Sequence, residues 1–190
     1  MTLTMLGDAT DLTKYIKTTA KGLVLDLNGH TLASSATLCT IWIDGDSSSE
    51  LTIRDTKGGG YVQGNVYAVA SRSGMSKLCL ESGDFTMTGG TIRNENGNAL
   101  NTSSDNVKIV VSGGEIYSSK YAIYSYTVAN IVVTGTAKLT GVKGIIDDRG
   151  VYNFTVTGGI FSHDPSEWVD QDAYTVTENS DGTWSVTAKD

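Results

Sequence analysis

Six short segments of the chain repeat one order of apolar and polar positions. Each has two apolar residues separated by one residue, a small polar or glycine turn, and a further apolar residue. They start at Leu25 (L-D-L-N-G-H-T-L), Leu51 (L-T-I-R-D), Phe85 (F-T-M-T-G-G-T-I), Ile109 (I-V-V-S-G-G-E-I), Ile131 (I-V-V-T-G-T-A) and Phe154 (F-T-V-T-G-G-I-F). The starts are 26, 34, 24, 22 and 23 residues apart. A recurring period in this range marks a solenoid in which each repeat covers the next.

Alternation within each repeat predicts a strand whose inward residues are Leu25 and Leu27, Leu51 and Ile53, Phe85 and Met87, Ile109 and Val111, Ile131 and Val133, and Phe154 and Val156. The outward residues then form two columns. One runs Asp26, Thr52, Thr86, Val110, Val132, Thr155, and the other Asn28, Arg54, Thr88, Ser112, Thr134, Thr157. A glycine-rich turn follows, and beyond it Leu32, Val62, Ile92, Ile116, Leu139 and Phe161 point inward again. A second motif, a small residue followed by an aliphatic one, marks another side of the coil at Ala68-Val69, Ala99-Leu100, Ala122-Ile123 and Gly144-Ile145. Equal spacing pairs each strand with its equivalent in the next turn, in parallel, so the fold class is an all-β parallel β-helix of about six to seven rungs.

Both ends of such a rod need covers. Asp164-Pro165-Ser166-Glu167 predicts a short helix through Trp168 and Val169, and Asn179-Ser180-Asp181-Gly182 joins two alternating runs into an antiparallel hairpin. The chain therefore reads as a single domain over 1–190: a cap or first rung over 1–22, rungs over 23–163, and a cap over 164–190. In the first stretch Leu12, Tyr15 and Ile16 fit either a short amphipathic helix or a broken strand.

Composition narrows the partners. The formal net charge is −7, without the Lys and Arg clusters that nucleic acid or an anionic membrane rewards. No apolar run reaches the roughly 18 residues that span a bilayer, and no secretory signal opens the sequence. Two cysteines, Cys39 and Cys79, are too few for a disulfide framework and match no metal spacing.

The string L-V-L-D-L-N-G-H-T-L, the repeated T-x-T-G-G-x-I/F and the closing G-G-I-F-S-H-D-P-S-E-W-V with its hairpin resemble modules of large bacterial surface proteins. These are right-handed parallel β-helices of the pectin-lyase-like superfamily. The resemblance implies that fold and an exported, cell-surface setting in a longer chain. It leaves open polysaccharide lyases and hydrolases, adhesins, phage tail or fibre components and non-catalytic modules.

The residues themselves argue against catalysis. A lyase needs acids holding calcium beside a basic residue, and no acid cluster aligns across rungs with Arg54 or Arg93, which read as solvated charge. A hydrolase needs two carboxylates about one bond, and Asp147-Asp148-Arg149-Gly150 is the sole candidate. It is similar to the paired aspartates of β-helical polygalacturonases, but the accompanying Gly-His-Gly and Arg-x-Lys elements are missing. His30 and His163 sit at opposite ends of the array. Asp44-Gly-Asp46-Ser-Ser-Ser-Glu50 is oxygen-rich yet lacks a calcium loop's spacing. No cofactor or metal is expected.

An aromatic cluster is the distinctive surface feature. Tyr117, Tyr121, Tyr124 and Tyr126 crowd one turn, with Tyr124 and Tyr126 expected on the outward face, and Tyr67 lies in the same register as Tyr121. Flat amphipathic rings suit sugars or proteins. The expectation is a non-catalytic, monomeric module that binds a glycan or host surface protein, or serves as a rigid stalk, with a polysaccharide-degrading enzyme as the alternative.

Overall fold

The computed structural model describes residues 1–35, 39–43, 48–64, 83–102, 107–125, 128–147 and 153–190, and the backbone of 66–68. The chain is an all-β solenoid of about five turns. The first turn is β1 (Thr2–Thr4), β2 (Ala9–Leu12) and β3 (Ile16–Thr18); the next is β4 (Leu23–Asp26), β5 (Thr31–Ser34) and β6 (Ile41–Ile43). Then come β7 (Glu50–Arg54), β8 (Tyr61–Gln63) and β9 (Val66–Ala68), followed by β10 (Gly83–Asn94) with β11 (Leu100–Thr102) and β12 (Val107–Ser118) with β13 (Tyr121–Ser125). The coil ends through β14 (Asn130–Val133), β15 (Lys138–Gly141) and β16 (Gly144–Ile146), then β17 (Asn153–Val156) and β18 (Gly159–Phe161). From β4 to β16, each of five successive turns supplies all three sides. The expected six to seven rungs also count the partly covered turns at either end.

Like strands stack in parallel. The first face is β1, β4, β7, β10, β12, β14 and β17; the second is β2, β5, β8, β10, β12, β15 and β18; the third is β3, β6, β9, β11, β13 and β16. The 12-residue strands β10 and β12 run through the corner between the first two faces. Gly90 and Gly114 make that bend at φ 79° and 81°. At Gly90 a Cβ would sit 2.7 Å from Leu27 Cδ1, so glycine serves both the backbone angle and the close packing of successive turns.

The core is the stack of inward columns. Leu32, Val62, Ile92, Ile116, Leu139 and Phe161 are in register on the second face and all buried, as their spacing predicts. On the first face Leu51, Phe85, Ile109, Ile131 and Phe154 align, as do Ile53, Met87, Val111, Val133 and Val156. Such columns remove apolar side chains from water along the whole rod, the dominant favourable term in a coil with few covering layers.

Two register expectations need correction. In β4 the residues opposite Leu51 and Ile53 are Leu23 and Leu25, two positions before the predicted pair, so Asp26 falls beside Arg54 rather than Thr52. On the third face Leu100 aligns with Val66 and Ile123, and Ile123 with Ile146. The small-aliphatic pair is therefore shifted at Ala68-Val69 and Gly144-Ile145. The alternating Leu23, Leu25 and Leu27 offer two registers of the same phase, and the consecutive Ile145-Ile146 two phases, to a pattern of period two.

The corrected register creates a polar clamp. Asp26 is buried, and its Oδ1 accepts hydrogen bonds from the Asn28 N–H (3.0 Å) and from the N–H and hydroxyl of Thr56 (both 3.1 Å). Its Oδ2 accepts from Arg54 Nε at 3.0 Å. Burial pushes the Asp26 pKa up, but the Thr56, Asn28 and Arg54 donors outweigh it and the carboxyl titrates below its ordinary value. Asp55 staples the adjoining turn, accepting from Gly29 N–H (2.7 Å) and Gly60 N–H (2.6 Å).

The ends differ. After β18 a 3-10 turn covers Ser166–Trp168, with Asp164 accepting the Ser166 N–H at 2.9 Å. Strands β19 (Tyr174–Glu178) and β20 (Trp184–Ala188) form the expected hairpin, and β20 pairs antiparallel with β18. The first turn is the broken-strand alternative rather than a helix.

Candidate ligand-binding face

The outer side of the second face carries two columns: Thr31, Tyr61, Thr91, Glu115, Lys138, Ile160 and, beside it, Ala33, Gln63, Arg93, Tyr117, Thr140. Alternation against the buried Ile92–Ile116–Leu139 stack puts these side chains outside. The Arg93 guanidinium lies 4.5 Å from the Tyr117 ring centroid, across adjacent strands. Arg93 Nε also donates to Glu95 Oε1 at 2.6 Å, and that bond holds the guanidinium firmly charged. One strand along, Lys138 pairs with Glu115 at 3.1 Å. The result is a flat, partly exposed patch in which an aromatic face and a planar cation are held by their neighbours.

Among the described side chains of the five tyrosines predicted to bind, Tyr117 lies in this patch and Tyr121 and Tyr124 do not. Tyr121 opens β13 at the edge of the third face, half-buried; a Cβ on Gly144 would lie 3.2 Å from its Cε1, so the glycine makes room for the ring. Tyr124 corrects the expectation of an outward-presented ring. It alternates with the inward Ile123, yet is only 7% exposed. Alternation decides the side of the sheet a residue takes, not whether that side meets solvent. Tyr67 belongs by its backbone to the register of Tyr124 and Asn101, not Tyr121. Its side chain, and all of Tyr126, lie outside the described residues.

Of the alternative catalytic pair only Asp147 is among the described residues. Asp147 is fully buried, with its N–H donating to Ile123 O at 3.2 Å, and Asp148 lies outside the described residues. His30 contacts Asp8 (3.3 Å) near one end and His163 contacts Ser162 (2.9 Å) near the other. Among the described residues no group of three His, Cys, Asp or Glu side chains is placed to hold a metal. Residues 44–47 of the oxygen-rich run, and Cys79, are outside those residues; Cys39 is buried, which pushes its thiol pKa up.

Two features escaped the sequence reading. Arg93 is exposed, as solvated charge should be, but its position one rung from Tyr117 in the equivalent T-I-R and E-I-Y strings also signals the ring contact. Trp42, alternating with Ile41 and Ile43, packs against Tyr15 with the rings tilted by 53° and their centroids 4.5 Å apart, and lies 5.5 Å from Lys17 Nζ on the third face.

No protein-family model, curated protein or solved structure matches the chain. Among the described residues no helix is long and apolar enough to cross a membrane.

Proposed function

We propose that the chain is a non-catalytic β-helix module of an exported bacterial surface protein, akin to pectin-lyase-like modules, that binds a glycan on its second face. The observation that carries this reading is the Arg93–Tyr117 stack on an outward, flat sheet face, flanked by Tyr61, Gln63 and the Glu115–Lys138 pair. An aromatic ring offers an apolar face to a sugar ring's C–H groups, and the surrounding guanidinium, carboxylate and amide supply hydrogen bonds to hydroxyls. The rung spacing of about 4.8 Å sets these groups in a row along the rod, which suits an extended chain more than a small molecule. Rigidity is the second contribution, since a rod of stacked parallel turns holds the face at a fixed place along a stalk.

The test is a glycan array followed by titration of any hit. Replacing Tyr117 or Arg93 by Ala is expected to weaken binding at least about tenfold, roughly 1.4 kcal/mol, with the fold retained by circular dichroism. Unchanged affinity in both variants removes the face. Release of products from a polysaccharide panel, abolished by Asp147→Asn, would favour the enzyme reading instead.

A further inference from the structure

We infer that the glycan taken by the second face is an uncharged one, and that Glu95 is the group that turns acidic sugars away. This rests on the reading of that face as a glycan site and narrows it to a substrate class. Arg93 and Lys138 are the cations of the two outward columns, and each already has a carboxylate. Glu95 Oε1 accepts from both Nε and Nη2 of Arg93, at 2.6 and 2.5 Å, and Glu115 Oε1 lies 3.1 Å from Lys138 Nζ.

The surroundings add negative charge rather than positive. Arg93 feels Glu115 as well as Glu95, and the charge of Lys138 reaches Asp181 in the hairpin turn. Two cations thus stand among three carboxylates, on a chain of net charge −7. Lys120 and Lys143 lie past the ends of β12 and β15, at the corner toward the third face. The rest of the patch, with Tyr117, Tyr61, Gln63, Thr91 and Thr140, is uncharged.

A ligand carboxylate would have to displace Glu95 from the guanidinium or lie beside it, and like charges brought together cost affinity. A hydroxyl fits the face as it stands. It donates to a carboxylate oxygen and accepts from a guanidinium N–H, so neighbouring hydroxyls of one sugar bridge the Arg93–Glu95 pair without breaking it. The pair uses Nε and Nη2, and among the described residues Nη1 keeps its donors for the ligand. Both side chains are about half exposed, so exchanging Glu95 costs the fold little.

The experiment titrates the intact chain, Tyr117→Ala and Glu95→Gln with neutral gluco-, manno-, galacto- and xylo-oligosaccharides and with oligouronates of matched length, at low and high salt. The expected result is neutral binding at least about tenfold tighter than uronate binding, weakened by Tyr117→Ala and indifferent to salt, because an uncharged ligand leaves nothing to screen. Glu95→Gln uncovers the guanidinium and should raise uronate affinity at least about fivefold, a gain that high salt removes, while neutral affinity stays within about threefold of the parent. Oligouronates held through Tyr117 as tightly as neutral oligomers, or no better by Glu95→Gln than by the parent, overturn the inference and leave the glycan face standing. No binding of either class, or binding indifferent to Tyr117→Ala, overturns the glycan face and the inference with it.

Discussion

The two ends of the rod are built from the same kind of strand and meet opposite fates. At the C-terminal end Phe154 and Phe161 are buried: Trp168 packs edge-on to Phe154 at 5.0 Å, Val169 bridges to Val156, and β20 lies along β18. At the N-terminal end Leu3 occupies the column of Leu25, yet half its surface remains open, because β1 pairs with β4 on one side and no described strand pairs with it on the other. Column position decides where a side chain points. Burial needs the next layer.

That contrast can be broken experimentally, most strongly in the core. Phe161→Ala should cost about 3–5 kcal/mol in denaturant unfolding, against about 1 kcal/mol for Leu3→Ala, since only the first leaves a closed cavity. Equal costs would mean that the ends are equally covered.

Next in size is the clamp under the open end. Asp26→Ala leaves Arg54, Thr56 and Asn28 donors without their acceptor and should cost roughly 2–4 kcal/mol. The pH dependence has a definite sign. The folded pKa of Asp26 is below the unfolded value of about 3.9, so its contribution is complete above that value and is lost as pH falls through the folded pKa. Stability should therefore drop on acidification below about pH 4, and Asp26→Asn should flatten that slope. A slope unchanged in the variant assigns the acid sensitivity to other carboxylates.

Hydrogen exchange measures the difference without mutation. Amides of β1–β3 should exchange before those of β18 and β20, and the reverse order would contradict the cap assignment. The smallest effect is expected at the exposed Leu6: its change to Asp should move stability by no more than about 0.5 kcal/mol in the same unfolding measurement.

Much of the fold was legible in the chain because a solenoid repeats its local rule. The column from Leu32 to Phe161, the glycine corners and the hairpin around Asn179–Gly182 all follow from spacing and turn chemistry. Register failed in β4, where Leu23, Leu25 and Leu27 alternate, because a two-residue slip keeps the same faces buried and leaves the pattern unchanged. The candidate site was less legible. Tyr117 was selected as one of five rings, but its partner Arg93 lies 24 residues away, and only the pairing of β10 with β12 brings the two together.

The chain by itself determined the parallel coil, its inward columns and the form of its C-terminal cover, since these depend on alternation, repeat length and turn residues that act locally. Tertiary structure alone decided which outward residues meet solvent. Tyr117 and Tyr124 are both strand tyrosines next to an inward isoleucine, yet one lies on a partly open face and the other is buried. The physical reason is that exposure depends on what neighbouring segments cover, a non-local property that no period in the sequence carries.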